Sequence, residues 1–202
     1  MSDQQAWDDR YLDSDRIWSG NPNVALVAEV ADLPPGRALD LASGEGADAV
    51  WLAARGWQVT AADISAVALK RAAAHAAEAG VEVDWQHHDL EKTFPAGEFD
   101  LISSQFMHSW NEFDREAILR RAAGSVAPGG ILLIEGHMDH GPFAHDHGHE
   151  VHFPTPDEVI AALRLGAEWE VLKAEVHPRQ QKGPDGDQHT RTDSTVKLRR
   201  SR

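Results

Sequence analysis

Cysteine is absent from all 202 residues, which excludes disulfides, thiolate zinc sites and a cysteine nucleophile. Any metal site has to use His, Asp or Glu. Cationic side chains are scarce, 19 Lys and Arg against 33 Asp and Glu, for a formal charge of -14. That balance opposes the attraction that carries proteins to nucleic acid or anionic membrane, so the expected partner is a small molecule. The basic residues Lys197, Arg199, Arg200 and Arg202 read as a solvated tail. No apolar run approaches the ~20 residues that span a bilayer, and the first residues lack a basic-then-apolar signal, so a cytoplasmic location is expected. Nothing in the pattern signals an oligomeric state.

What is present begins with Ala38-Leu39-Asp40-Leu41-Ala42-Ser43-Gly44-Glu45-Gly46, an apolar run that breaks into a glycine turn. A helix follows, with Ala47, Val50, Trp51 and Ala54 as its apolar stripe. Gly44 and Gly46 allow a sharp turn and close approach of a ligand to the backbone. Strand, glycine turn and helix suit many adenosine ligands. Asp40 and Glu45 place two carboxylates where a dinucleotide enzyme cradles pyrophosphate, which they would repel. S-adenosylmethionine has no phosphate and carries a sulfonium and an ammonium, so the acidic turn favours it.

The rest of the chain alternates. Asn21-Pro22 predicts a helix start with Val24, Val27, Ala28 and Ala31 as its stripe. Trp57–Ala62 reads as a strand ending at Asp63, and Ser65 caps an alanine-rich helix that stops at Gly80. Val81–Trp85, Phe99–Ser103 and Ile131–Ile134 read as further strands; Asn111 caps a helix with Leu119, Ala122, Ala123 and Val126 on one face. Thr155-Pro156-Asp157-Glu158 is a capping box, and Trp169–Val176 and Thr192–Arg199 are two strands joined through Gly183-Pro184-Asp185-Gly186. The expected fold is α/β, a three-layer Rossmann-like sandwich on a mostly parallel sheet.

Leu39–Gly46 resembles the first motif of class I S-adenosylmethionine-dependent methyltransferases, and the similarity runs from Trp7 to the C-terminal strand. It is nearest to a small bacterial branch similar to tellurite-resistance and thiopurine methyltransferases. The resemblance implies seven strands with an antiparallel C-terminal strand. It also implies one domain over 1–202: a helical cap at 1–33, a cofactor-binding core at 36–137, a His-rich loop at 138–154, and a helix and strand pair at 155–202. Asp40, Asp63 and Asp89 lie at successive strand ends, where an open α/β sheet binds ligands. Asp63 is expected on the ribose hydroxyls and Asp89 on the adenine amino group, with Leu90 as a backbone donor and Ile64 on the ring. Gln105 is where the family's backbone touches the cofactor, and Tyr11 and Trp18 are candidates to close the pocket. Ala42 departs from the glycine common in the family.

For chemistry, His108 in Ser104-Gln105-Phe106-Met107-His108 is the candidate base or acceptor-orienting group. Six histidines and three acids between His137 and His152 offer metal ligands, with His145, His147 and His149 alternating, although contact with the acceptor is the favoured role of that loop. Two alternatives stay open. One is a cofactor- or metal-binding protein without turnover. The other is an NAD(P)-dependent oxidoreductase, since Gly44-Glu45-Gly46-Ala47-Asp48-Ala49 satisfies the G-x-G-x-x-G/A pattern.

Overall fold

The computed structural model describes residues 2–109, 113–139, 152–182 and 186–202. Their elements alternate from the second helix onward: α1 (Asp3–Leu12), α2 (Val24–Val30), β1 (Arg37–Leu41), α3 (Ala47–Ala53), β2 (Gln58–Asp63), α4 (Ala66–Ala79), β3 (Asp84–His87) and β4 (Phe99–Gln105). After these come α5 (Arg115–Gly124), β5 (Val126–His137), α6 (Pro156–Leu163), β6 (Trp169–Lys182) and β7 (Gln188–Arg200). The seven strands form one sheet in the order β3-β2-β1-β4-β5-β7-β6. All pairs through β5 are parallel, and β7 is antiparallel to both its neighbours. The strand order reverses between β1 and β4, so a crevice opens beyond their carboxyl ends at Leu41 and Gln105.

Each face of the sheet is covered by its own apolar layer. Leu26 and Val30 of α2 and Ala49 and Leu52 of α3 pack on Ala38, Val59, Ala61, Leu101 and Leu133. Ile118, Leu119 and Ala122 of α5 and Val159 and Leu163 of α6 cover Leu39, Leu41, Ile102, Leu132, Val196 and Leu198 on the other face. Ser65 caps α4 by accepting from Ala68 N, Gly80 ends it in the left-handed region, and the Thr155–Glu158 capping box opens α6. These follow the sequence. Among the described residues no helix is long and apolar enough to cross a membrane.

Four expectations need correction, and buried polar groups account for two of them. Helix α2 starts after Asn23, not at Asn21, because Asn23 N and Nδ2 both donate to Asp48 at 2.7 Å. Its buried residues are Leu26 and Val30, while Val24 is 75% exposed. Helix α3 buries Asp48, Ala49 and Leu52 rather than the Ala47/Val50/Trp51/Ala54 stripe, since Asp48 turns inward to reach Asn23. An inward-facing carboxylate inverts the face that apolar periodicity selects. Strand β3 begins at Asp84, after the chain leaves the Gly80 cap, and pairs only with β2. Helix α5 is capped by Asp114, whose carboxylate accepts from Ala117 N at 2.8 Å, and Val126 belongs to β5. Asn111 lies outside the described residues.

Candidate active site

The glycine turn after β1 is tied to the end of β2. Asp63, buried, accepts from Gly44 N and from Ser65 N, both at 2.8 Å, so one carboxylate fixes the turn and the start of α4 together. Asp40 is buried in the strand before the turn and accepts from Ala49 N, but its Oδ2 has no partner. Burial, then Asp48 and Asp63, push its carboxyl well above the usual carboxylate range; burial also raises Asp48 and Asp63. Ser43 Oγ, Ser104 Oγ and Gln105 Oε1 are likewise buried and unpartnered. Four orphaned oxygens therefore lie at or near the ends of β1 and β4, the two strands that bound the crevice. A buried polar atom without a partner costs about 1–3 kcal/mol, so this cluster reads as the imprint of a polar ligand.

Backbone strain marks the same place. Among the described residues, the non-glycine residues with positive φ are Ala42 (56°), Phe106 (53°) and Arg164 (53°), and the first two directly follow β1 and β4. The glycine more common at position 42 in the resembling family is thus explained by its conformation. Gly44 and Gly46 differ in what they accommodate. A Cβ on Gly44 would meet Tyr11 Oη at 3.0 Å and Trp18 Nε1 at 3.2 Å, whereas one on Gly46 would lie 2.6 Å from Trp85 and 2.7 Å from Ala72. Gly46 serves helix-to-sheet packing, and Gly44 lies beneath the N-terminal segment.

That segment is clasped over the turn. Trp18 Nε1 donates to Tyr11 Oη at 3.0 Å, and burial beside Asp63 pushes the Tyr11 phenol up. Glu45 departs from expectation: it is not directed at a ligand. Its carboxylate accepts from Ile17 N, from Trp18 N at 3.0 Å and from Arg71 Nη1 at 2.9 Å. Ser65 Oγ donates to Asp8 at 2.6 Å, adding a second tie.

The three strand-end aspartates do not converge fully. Asp40 and Asp63 share the buried site, but Asp89 is half-buried, paired with Lys92 Nζ at 2.6 Å and accepting from Glu91 N. Leu90 is buried and its carbonyl accepts from Arg121; the carbonyl of half-buried Ile64 bonds His87. Gln105 is buried and donates to Ser103 Oγ at 3.0 Å.

Beyond β4 the sheet carries a second polar group that local sequence patterns do not reveal. Glu135, 1% exposed, bonds Thr195 Oγ1 at 2.6 Å and His177 Nε2 at 2.9 Å. Burial pushes its carboxyl up to about 7 against those two partners. Asp193, fully buried, bonds His137 Nδ1 at 2.9 Å and Arg179 Nε, and these partners hold it below the usual range. His108 stacks on His137 with centroids 4.9 Å apart, and His137 stacks on Phe106 at 4.4 Å. Burial first, then His137, Arg115 and Arg191, push His108 down to about 3. It is a neutral imidazole at pH 7 and a weak base, better suited to hydrogen bonding than to proton removal. In the sequence Glu135 is only the acid that directly follows the apolar run Ile131–Ile134, and its partners are 42 or more residues away. His145, His147 and His149 lie outside the described residues, and among the described residues no group of three or more His, Asp or Glu could hold a metal.

Residues 38–130 match the family model described as a methyltransferase domain. The ubiquinone biosynthesis O-methyltransferase of Methylobacterium nodulans is 36% identical over 119 residues, covering 58% of this chain and 45% of that protein. The chain spans between a quarter and about half of the length of the curated relatives it matches. Among solved structures, the N-methyltransferase NodS of Bradyrhizobium japonicum, in complex with S-adenosyl-L-homocysteine, superposes with a TM-score of 0.70 at 19% identity, covering 100% of both chains. TehB of Haemophilus influenzae, a tellurite-resistance protein, has a TM-score of 0.67 at 17% identity, covering all of this chain and 68% of its own. What the chain shares with these structures is the fold, a seven-stranded Rossmann-like sheet.

Proposed function

We propose that this chain is a class I S-adenosylmethionine-dependent methyltransferase that transfers the methyl group of that cofactor to a small molecule, a reading supported by its fold and by the match over residues 38–130. The observation that carries the reading is the set of orphaned oxygens on Asp40, Ser43, Ser104 and Gln105 at the crevice. Asp40 and Gln105 offer acceptor oxygens and the Ser43 and Ser104 hydroxyls can accept or donate, so with the buried Asp63 beside them the set suits a ligand with an ammonium, a sulfonium and hydroxyls better than a pyrophosphate. When bound, the cofactor supplies an electrophilic methyl group on sulfur.

The chain's own residues then divide the work. Asp40 accepts from the cofactor's ammonium, and Asp63, whose two oxygens keep further lone pairs, takes the ribose hydroxyls. Gly44 and Ala42 shape the turn, while Gly46 holds it against α4. Ile64, Leu90 and Asp89 border the adenine side, and Gln105 borders the methionine side. Tyr11 and Trp18 close the crevice and exclude water. Holding acceptor and donor in line supplies much of the rate in such a transfer. Where the acceptor must lose a proton, the more exposed His177 imidazole would take it on its other ring nitrogen, with the buried Glu135 carboxylate orienting the ring through Nε2. The charge of -14 opposes nucleic acid and anionic membrane as acceptors, and a cytoplasmic location fits this reading.

Calorimetric titration with S-adenosylhomocysteine, beside NADH, tests the proposal. Saturable binding of the first and none of the second is expected. Binding of NADH alone would return the oxidoreductase reading, and binding of neither would overturn the cofactor assignment.

A further inference from the structure

Arg115 is the first residue of α5, so a cation stands at the positive end of a helix dipole. Its Nε is buried without a partner, and among the described residues its side chain makes no hydrogen bond and no ion pair. The neighbouring guanidiniums have ionic partners: Arg179 has Asp193, and Arg191, whose Nε also lacks a hydrogen bond, has Asp139 and its carbonyl. His108 Nε2 is also buried and unpartnered, and it shares with Arg115 a cavity of about 10 Å³, lined also by Ile134, Gly136, His137 and Val159. The space suits one water molecule or one carboxylate oxygen. Burial disfavours the guanidinium's charge, as it does the His108 imidazolium. A desolvated cation with an orphaned donor, facing an orphaned imidazole nitrogen across a small hole, is the complement of an anion once that nitrogen carries its proton.

Resting on the methyltransferase reading, we infer that Arg115 and His108 form the anchoring subsite for the methyl acceptor, which therefore carries a carboxylate. One carboxylate oxygen enters the cavity and accepts from Arg115 Nε and, in its Nε2–H tautomer, from His108. The rest of the acceptor lies outside the cavity. The subsite selects among acceptors by charge, in a protein whose overall charge repels anions.

The test uses acetate as probe and acetamide as the neutral control, followed by side-chain NMR of the histidines in the full chain, with and without S-adenosylhomocysteine. Acetate is expected to shift the His108 Nε2 resonance saturably and acetamide to leave it in place. Arg115→Gln, which removes an unpaired buried charge and should fold, is expected to weaken acetate roughly tenfold or more, with Arg115→Lys recovering part of the loss. An unchanged His108 resonance, or equal acetate affinity in Arg115→Gln, overturns the inference. Acetate failing while S-adenosylhomocysteine binds removes the subsite alone; acetate binding while S-adenosylhomocysteine fails removes the cofactor reading and leaves an anion site.

Discussion

The two ends of the sheet satisfy their buried charges in opposite ways. Around β1 and β2 the carboxylates are held largely by backbone N–H groups: Asp63 by Gly44 and Ser65, Glu45 by Ile17 and Trp18, Asp48 by Asn23. Around β5 to β7 they are held by side chains: Glu135 by His177 and Thr195, Asp193 by Arg179 and His137. The leftovers differ accordingly. Among the described residues, the unpartnered buried side-chain atoms near β1 and β4 are the oxygens of Asp40, Ser43, Ser104 and Gln105, whereas on the other side they are the nitrogens of His108, Arg115 and Arg191. One end is left short of donors and the other short of acceptors. That asymmetry is what a cationic cofactor and an anionic acceptor require.

The comparison breaks most visibly at Asp193. Asp193→Ala leaves Arg179 and His137 facing each other without the buried carboxylate, and such uncompensated charge costs about 3 kcal/mol or more. Urea denaturation should show the midpoint falling at constant slope. A loss below 1 kcal/mol would mean that the cations relax to solvent and that this end is not built as a network.

On the acidic side the counterpart is Asp63→Ala. It removes two backbone hydrogen bonds that fix the glycine turn, and with them the carboxylate proposed for the ribose. Affinity for S-adenosylhomocysteine should fall roughly 100-fold, about 2.7 kcal/mol, by calorimetry. Unchanged affinity would show that backbone satisfaction is the whole task of Asp63.

The difference between the ends also decides what the sequence could show. Asp40, Gly44, Gly46 and Asp63 are legible because the strand, turn and helix that place them are local, and strand-end acids in an α/β alternation have few other destinations. The Ser65 cap, the Thr155–Glu158 capping box and Gly80 are legible for the same reason. Asp193 and Glu135 meet their partners only through the antiparallel pairing of β5, β7 and β6, and no local pattern fixes that register. Glu45 is legible as an acid in the turn but not in its direction, because Arg71 and the N-terminal amides that claim it are 26 or more residues away. The Asp48-driven rotation of α3 is missed by any rule that counts acids as outward.

A pH series sharpens the contrast. The Glu135 carboxyl is raised to about 7 from an ordinary 4.5, so between these values the folded chain binds more protons than the unfolded one. This group's contribution is therefore fully present below about pH 4.5 and is lost as pH rises through 7. Glu135→Gln should remove that dependence, gaining on the order of 2 kcal/mol relative to the parent between pH 4.5 and pH 8. His108 acts in the opposite sense: its depressed pKa, about 3, costs stability as pH falls below 6.5. The parent-minus-variant difference isolates Glu135, and a flat difference across pH would mean that the Glu135 carboxyl is not raised by its burial.

A smaller effect is expected where backbone donors do the holding. Glu45→Gln keeps the shape but weakens three charge-assisted contacts to Ile17, Trp18 and Arg71. A loss of about 1.5 kcal/mol is expected. It should appear first as faster amide exchange at Ile17 and Trp18 rather than in the sheet. Uniform acceleration across the sheet would mean that the clasp is part of the core and not a cover.

The smallest effect tests the strain at the crevice. Ala42 sits at φ 56°, a conformation that costs a non-glycine residue roughly 1–2 kcal/mol, and Ala42→Gly relieves it. Glycine loses more unfolded-state entropy, by about 0.5–1 kcal/mol, and the Ala42 methyl also packs against the core beside Leu39 and Leu41, a contact the variant forfeits. These opposing effects leave a net gain of about 0.5 kcal/mol, or roughly 1–2 °C in Tm. Since Ala42 follows β1 directly and Asp63 is fixed independently through Gly44, cofactor affinity should stay within about twofold of the parent. A destabilised glycine variant would mean that the methyl contact outweighs the relieved strain; a stabilised variant that binds S-adenosylhomocysteine more weakly would show that the strain at position 42 holds the turn in its binding conformation.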